Sequence, residues 1–462
     1  MQRDGPFLGA PKCVASGQCV LLAPEVFDQQ EEDGLVILLD ETPAPDHHDA
    51  VRGVGGGVPG RGDTADRIVN SLNRVAIVGG SAAGLAAAET LRREGYEAAI
   101  AFIGDEPLSP YDRPPLSKEI LSGSWAADRL ALRPESDLDA LHLELRLGLT
   151  ATGLDLTGRT VSLADGSEVG FDGLIVATGV RPRRLPGERA HVLRTLDDAL
   201  ALRDRIRPGC HLAVVGAGFL GSEAASVARA LGARVTLLEP ASVLLAHAVG
   251  EDVGRVLSSL HDEHGVDLRT GVTAAEVVSG GVRLGDGSVL RADEVLLAIG
   301  SHPNTEWLKG SGVTVGDGLV CDEFSAAAPG VYGAGDVASW HNPLFGTRMR
   351  VEHRTNAAEQ GMAAARNLLN PQARKSFAPV PYFWSDQYGM KIQAHGYLRG
   401  HDEVTVVEGD LASRRFVAAY RRGDRITGVL GVGMPPKAIR AWRQSVALRA
   451  AWRDAVESAR TP

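Results

Sequence analysis

Long apolar runs are missing from this 462-residue chain. The longest stretch without a charged residue, 208–222, spans 15 Gly-rich positions. A membrane-spanning helix needs roughly 20 apolar residues, so none is expected. The N-terminus, MQRDGPFLGAPKC, lacks an apolar core of signal-peptide length, and a cytoplasmic location is the expectation. Cysteine is scarce too: Cys13, Cys19, Cys210 and Cys321 are too few for a disulfide scaffold in a chain of this size. Neither Cys210 nor Cys321 has a Cys partner at a redox-motif spacing, which argues against dithiol chemistry. Positive charge is in deficit. With 48 Lys and Arg against 58 Asp and Glu the net charge is −10, which opposes non-specific binding to nucleic acid.

Glycine is abundant, at 55 residues, so many positions need φ > 0 or a close backbone approach to a ligand. At about 150 residues per domain the length suggests about three domains. The run GVGGGVPGRGDTAD at 53–66 has the composition of a flexible linker and marks a domain boundary. Charge is unevenly spread. Residues 1–66 carry four Lys/Arg against twelve Asp/Glu, and residues 381–462 carry thirteen against eight. Two solvated faces of opposite sign explain this as simply as a docking role does.

Arg74-Val75-Ala76-Ile77-Val78, a Gly/Ser turn and LAAAETLRREG read as strand, tight turn and helix. The pattern returns about 137 residues later as His211-Leu212-Ala213-Val214-Val215, Gly216 and SEAASVARALG, a spacing that suits two similar nucleotide-binding domains. From about residue 378 the chain alternates through VTVVEG, RRFVAAYRR and RITGVLGVG, predicting an antiparallel sheet. It then enters one long helical stretch, KAIRAWRQSVALRAAWRDAVESA.

The second turn, Gly216-Ala217-Gly218-Phe219-Leu220-Gly221, is a complete G-x-G-x-x-G between a strand and a helix. Its glycines permit a tight turn whose N–H groups meet a pyrophosphate. Glu239 ends the next strand 23 residues after Gly216, where a ribose 2′-OH is bound and a 2′-phosphate repelled, which favours NADH over NADPH. A packing-only glycine turn is the plainer alternative. The first turn, Gly79-Gly80-Ser81-Ala82-Ala83-Gly84, has Ser81 in place of the middle Gly, and the acid after its next strand is Asp105 or its neighbour Glu106. Two dinucleotide domains in one chain suggest electron passage between two cofactors, of which FAD with NADH is the commonest pair.

Pro110-Tyr111-Asp112-Arg113-Pro114-Pro115-Leu116-Ser117-Lys118, Ala177-Thr178-Gly179, Gly333-Ala334-Gly335-Asp336 and Tyr382-Phe383-Trp384-Ser385-Asp386-Gln387-Tyr388 together resemble the oxygenase-coupled NADH:ferredoxin reductases, the putidaredoxin reductase family. The resemblance runs from about residue 73 to the C-terminus. It implies an α/β, glutathione-reductase-like fold with two Rossmann-type dinucleotide-binding domains and a C-terminal α/β domain, preceded by a small ferredoxin-like segment. The expected division is a ferredoxin-like segment 1–60, a linker 61–72, an FAD-binding domain 73–190 and 296–376, an NAD-binding domain 191–295 and a C-terminal reductase domain 377–462. The implied activity is hydride transfer from NADH to FAD, then single-electron delivery to a ferredoxin that serves a monooxygenase or dioxygenase. A regulatory NADH-binding flavoprotein similar to apoptosis-inducing factor is the alternative.

Carried over by motif, FAD would be held by Gly79, Ser81, Ala83, Gly84, Asp105, Arg113, Lys118, Ala151, Arg181, Asp336, Arg354 and Trp384, and NADH by Gly216, Gly218, Gly221 and Glu239. Lys118 and Glu223 take the catalytic positions. For Glu223 the alternative is an exposed acid in the first helical turn, stabilised by the helix dipole. Family members often carry Trp where Arg350-Val351-Glu352-His353-Arg354-Thr355-Asn356-Ala357 has Arg354, so Arg354 is expected to add positive charge near the electron exit. The segment KCVASGQCVLLAPEVFDQQEEDGLVILLD, with Cys13 and Cys19 in C-x5-C spacing, resembles small single-cluster ferredoxins. A [3Fe–4S] cluster needs three thiolates and the next cysteine is Cys210. The segment is therefore expected to be a clusterless relic, with no metal bound.

Overall fold

The structure, a computed structural model, describes residues 26–29, 36–39 and 72–460. Cys13, Cys19 and the linker lie outside them. Of residues 1–60, Phe27–Gln29 and Val36–Leu38 form an antiparallel pair in the register Phe27↔Leu38.

Arg74–Val78 is a short β-branched run with four consecutive buried residues, as a strand covered on both faces requires. It sits inside a six-stranded sheet of order Ala326–Ala328, Val331–Gly333, Gly173–Val176, Arg74–Val78, Ala99–Gly104, Glu144–Leu147. All neighbours are parallel except the first pair. The second sheet, Asp267–Thr270, Arg234–Glu239, His211–Val215, Glu294–Leu297, is wholly parallel. Each parallel sheet is accompanied by a three-stranded antiparallel meander, Ala151–Gly170 for the first and Ala274–Arg291 for the second. The chain leaves the first sheet along Val180–Pro182 and returns along Ser301–Pro303, and these two strands pair antiparallel. The strand Glu294–Leu297 belongs to the second sheet, so that unit ends beyond the expected boundary at 295.

The C-terminal region is the expected antiparallel sheet, of order Tyr382–Gln387, Met390–Gly396, Arg425–Val432, Arg415–Arg422, Glu403–Asp410. The helix Pro436–Ala447 buries Ile439, Trp442 and Val446 against Val417 and Val429. The single long helix expected here is in fact two. The chain breaks after Ala447, Arg449 takes φ 49°, and a second helix runs Trp452–Arg460. Ala451 instead bridges to Arg425 of the sheet, a tertiary contact that outweighs local helix propensity.

What sets the first turn in place is a close helix crossing. Arg354–Leu369 lies on Ala82–Arg93 so tightly that a Cβ at Gly361 would stand 2.2 Å from the Ala83 carbonyl oxygen.

Candidate functional site

At the first turn Gly79 has φ 132°, and a Cβ there would meet the Ala177 carbonyl oxygen at 2.0 Å. One at Gly84 would meet the Gly79 carbonyl oxygen at 2.0 Å. Both positions therefore require glycine. Ser81 is the N-cap of Ala82–Arg93, but its side chain makes no capping hydrogen bond. It lines two cavities instead, of about 490 and 320 Å³. These share Tyr111, Arg113, Ala177, Gly179 and Arg194 and form one cleft along the helix N-terminus, suited to a pyrophosphate.

Asp105, Ala151 and Arg181 line the larger cavity. The Glu106 carboxylate is engaged, accepting hydrogen bonds from the Tyr111 hydroxyl at 2.5 Å and Arg113 Nη2 at 2.6 Å, whereas Asp105 is exposed on the rim. Arg181 is half-exposed and paired with Glu306. Arg113 also donates to the Arg194 carbonyl oxygen at 2.6 Å. Asp336 lines the smaller cavity and accepts from Arg194 Nη2 at 3.1 Å. Burial pushes its carboxyl up from the usual range, and Arg194 opposes that.

The smaller cavity also brings in the second turn. Phe219, Leu220 and Glu223, at the start of the helix Phe219–Ala230, line it together with Ser81, Ala83, Lys118, Trp384 and Arg354. Glu223 is not the exposed acid of the alternative reading, being 5% exposed. Its Oε2 accepts from Lys118 Nζ at 2.7 Å and Ser117 Oγ at 2.6 Å, and its Oε1 from Ser385 Oγ at 2.7 Å. Trp384 stacks near Tyr382, ring centroids 6.0 Å apart. Arg354 departs from expectation: its guanidinium pairs with the Asp112 carboxylate. The added positive charge is locally neutralised.

The second turn repeats the steric logic. Gly216 has φ 100° and would clash with the Ala298 carbonyl oxygen, and Gly221 with that of Gly216. Gly218 faces open space within 4 Å, leaving room for a pyrophosphate beside the backbone. Glu239 is anchored by two amides, Ala217 N to Oε2 and Ala241 N to Oε1, each at 3.0 Å.

Arg194, Ser117 and Ser385 are site residues to which sequence reasoning gave no role. Nothing in the spacing marks Arg194. Ser117 and Ser385 lie within recognised motifs but are 106 and 162 positions from Glu223. Both described cysteines are buried. Burial pushes the Cys321 thiol up to about 12, and neither lines the cleft. Among the described residues no group of three His, Cys, Asp or Glu side chains is placed to hold a metal ion, and no helix is long and apolar enough to cross a membrane.

Residues 73–361 match the pyridine nucleotide-disulphide oxidoreductase family, and residues 382–458 match the reductase C-terminal family. The chain belongs to this family, among the ferredoxin–NAD(+) reductases. It is 37% identical over 361 residues to the ferredoxin–NAD(+) reductase component of the p-cumate 2,3-dioxygenase system of Pseudomonas putida, covering 76% of this chain and 85% of that one. It is 35% identical over 384 residues to putidaredoxin reductase of the same organism, covering 79% and 90%. Among solved structures it superposes on the covalent putidaredoxin reductase–putidaredoxin complex with a TM-score of 0.78 at 31% identity, covering 84% of this chain and 99% of that one. The ferredoxin reductase for the CYP199A2 system of Rhodopseudomonas palustris gives a TM-score of 0.78 at 32% identity, covering 83% and 97%. The fold is accordingly the glutathione-reductase-like one, and the reductase uses FAD and NAD(H).

Proposed function

We propose that this flavoprotein oxidises NADH and delivers the electrons to a ferredoxin that serves a monooxygenase or dioxygenase. The observation that carries the reading is the smaller cavity, which Ser81 and Ala83 of the first turn line together with Phe219 and Leu220 of the second and Glu223 of the helix that follows it. Two dinucleotide-binding turns that open on one cavity bring their ligands' reactive ends together, the arrangement that direct hydride transfer needs. When bound, FAD supplies what side chains lack, accepting two electrons as hydride and releasing them singly.

The chain's own residues bind and orient. The Gly79–Gly84 turn and the Ser81 hydroxyl would hold the FAD pyrophosphate, Asp105 its adenosine ribose, and Ala151, Arg113 and Arg181 the walls of that half. Asp336, steadied by Arg194, would accept hydrogen bonds from ribityl hydroxyls. Lys118 and Glu223 face the reacting end, with Trp384 and the Arg354–Asp112 pair as walls. Gly216, Gly218, Gly221 and Glu239 would hold NADH. In domain terms, 73–190 and about 298–376 carry FAD, a unit from 191 to about residue 297 carries NADH, and 377–462 completes the reductase, in the cytoplasm.

The C-terminal sheet supports an acidic partner. A groove of about 900 Å³ at its hairpin turns is lined by Lys391, Arg414, Arg415 and Lys437 and by no carboxylate, although Arg414 is itself paired with Glu263. The relatives described above are named as reductases, which favours turnover over the regulatory alternative. The deciding measurement is reduction of cytochrome c by NADH with and without an added ferredoxin. Ferredoxin-dependent turnover is expected. NADH-reduced flavin that passes no electrons to any ferredoxin would favour the regulatory role.

A further inference from the structure

Glu223 is gripped by two segments far apart in sequence from it and from each other. Lys118 and Ser117 hold Oε2, and Ser385, on the first strand of the C-terminal sheet, holds Oε1. Ser385 is fully buried, and two residues on along the same strand face so is Gln387, at 1% exposure. Gln387 Nε2 donates to Ser385 Oγ at 3.2 Å. A serine hydroxyl has one proton and two lone pairs. With one lone pair taken by Gln387, the proton is directed at the Glu223 carboxylate 2.7 Å away.

Lys118 cannot fix that carboxylate alone. The Asp386 carboxyl, pushed up by burial, is drawn toward charge by Lys118 and Lys391 and repelled by Glu223. Glu119 is likewise drawn toward charge by Lys118 and opposed by Asp386 and Glu223. Lys118 and Ser117 both reach Oε2, and a carboxylate held at one oxygen pivots about it. The second oxygen needs its own directional donor, since preorganised sites tolerate only about 0.5 Å of slack.

We propose that Ser385, oriented by Gln387, is a positioning residue for Glu223, so that the C-terminal sheet completes the site at which NADH gives up hydride. The inference rests on the NADH-oxidising function proposed above.

The test uses the full chain loaded with FAD, as wild type, Ser385→Ala, Ser385→Thr and Gln387→Glu. Four quantities are followed: anaerobic flavin bleaching at saturating NADH, the visible difference spectrum on titration with NAD+, photoreduction of the flavin without nucleotide, and FAD content. In Ser385→Ala, bleaching per bound FAD should slow about ten- to a hundredfold, the worth of one hydrogen bond to a charged group. Its NAD+ difference spectrum should change while photoreduction and FAD content hold. Ser385→Thr keeps the hydroxyl and should restore most of the rate. Gln387→Glu offers the Ser385 proton a competing acceptor and should slow bleaching as well. Bleaching by Ser385→Ala at the wild-type rate per bound FAD overturns the proposal, whether or not FAD is lost, as does failure of Thr to restore it. A wild-type flavin that NADH does not bleach refutes the NADH-oxidising function itself and is a separate outcome.

Discussion

Replacing Glu239 by Ala separates the ribose contact from the rest of nucleotide binding. Each Glu239 oxygen already accepts one backbone amide at 3.0 Å. A carboxylate offers about four lone-pair sites, so acceptor capacity remains for ribose hydroxyls. Truncation loses those bonds, worth about 1.5–3 kcal/mol to a charged acceptor. It also releases the Ala217 amide and so loosens the Gly216–Gly221 turn. NADH and NADPH share the pyrophosphate that this turn would hold, so the second loss divides out of their ratio. For NADPH, removal of the carboxylate also relieves repulsion of the 2′-phosphate. The ratio of kcat/KM for NADH over NADPH, measured with ferricyanide, should therefore narrow about ten- to a hundredfold, chiefly through the NADH value. An equal fall for both nucleotides would refute the reasoning and place the ribose contact elsewhere.

Gly361→Val should displace Ala83, because even a Cβ would stand 2.2 Å from its carbonyl oxygen. About 3 kcal/mol of stability should be lost, read as a lower melting temperature together with lost FAD, and an unchanged melting temperature would show that the helix crossing can relax. Burial holds the fully enclosed His395 imidazole down to about 3. Its contribution to stability is therefore fully present above pH 6.5 and lost as pH falls from 6.5 toward 3, at about 1.4 kcal/mol per pH unit between pH 4 and 6. His395→Asn should flatten the dependence of the urea midpoint on pH by that amount, and parallel curves would contradict it. Neutralising Glu31, Glu32 and Asp33 in the full chain tests the charge asymmetry. If residues 1–66 compete with an external ferredoxin for the basic groove, its KM should fall at low salt and converge with wild type at high salt. Turnover of NADH with ferricyanide should stay unchanged. Identical ferredoxin kinetics at every salt concentration would mark the segment as a passive appendage.

The two dinucleotide turns were legible because their requirement is local. Gly79, Gly84, Gly216 and Gly221 are forced by carbonyl oxygens within a Cβ's reach, and the spacing of glycines between a β-branched run and an Ala-rich helix is itself the signal. The acid Glu239 follows from the same unit, at the end of the next strand. The antiparallel C-terminal sheet was readable from two-residue alternation. The break between Ala447 and Trp452 was not, because no Gly or Pro marks it and it is set by the Ala451–Arg425 bridge. Arg354 was read from the sequence as free positive charge, yet the fold seats it against Asp112, 242 positions away. Arg194 reaches Asp336 across 142 positions. Lys118, Ser117, Glu223 and Ser385 meet because a strand, a helix start and a short helical turn pack together, and no spacing along the chain encodes that meeting. The sequence by itself determined which backbone segments can cradle a dinucleotide, since that depends on glycine and short-range geometry. Only the tertiary structure decided which charges are paired and which carboxylate is held in place, since those depend on side chains that burial brings within hydrogen-bonding distance.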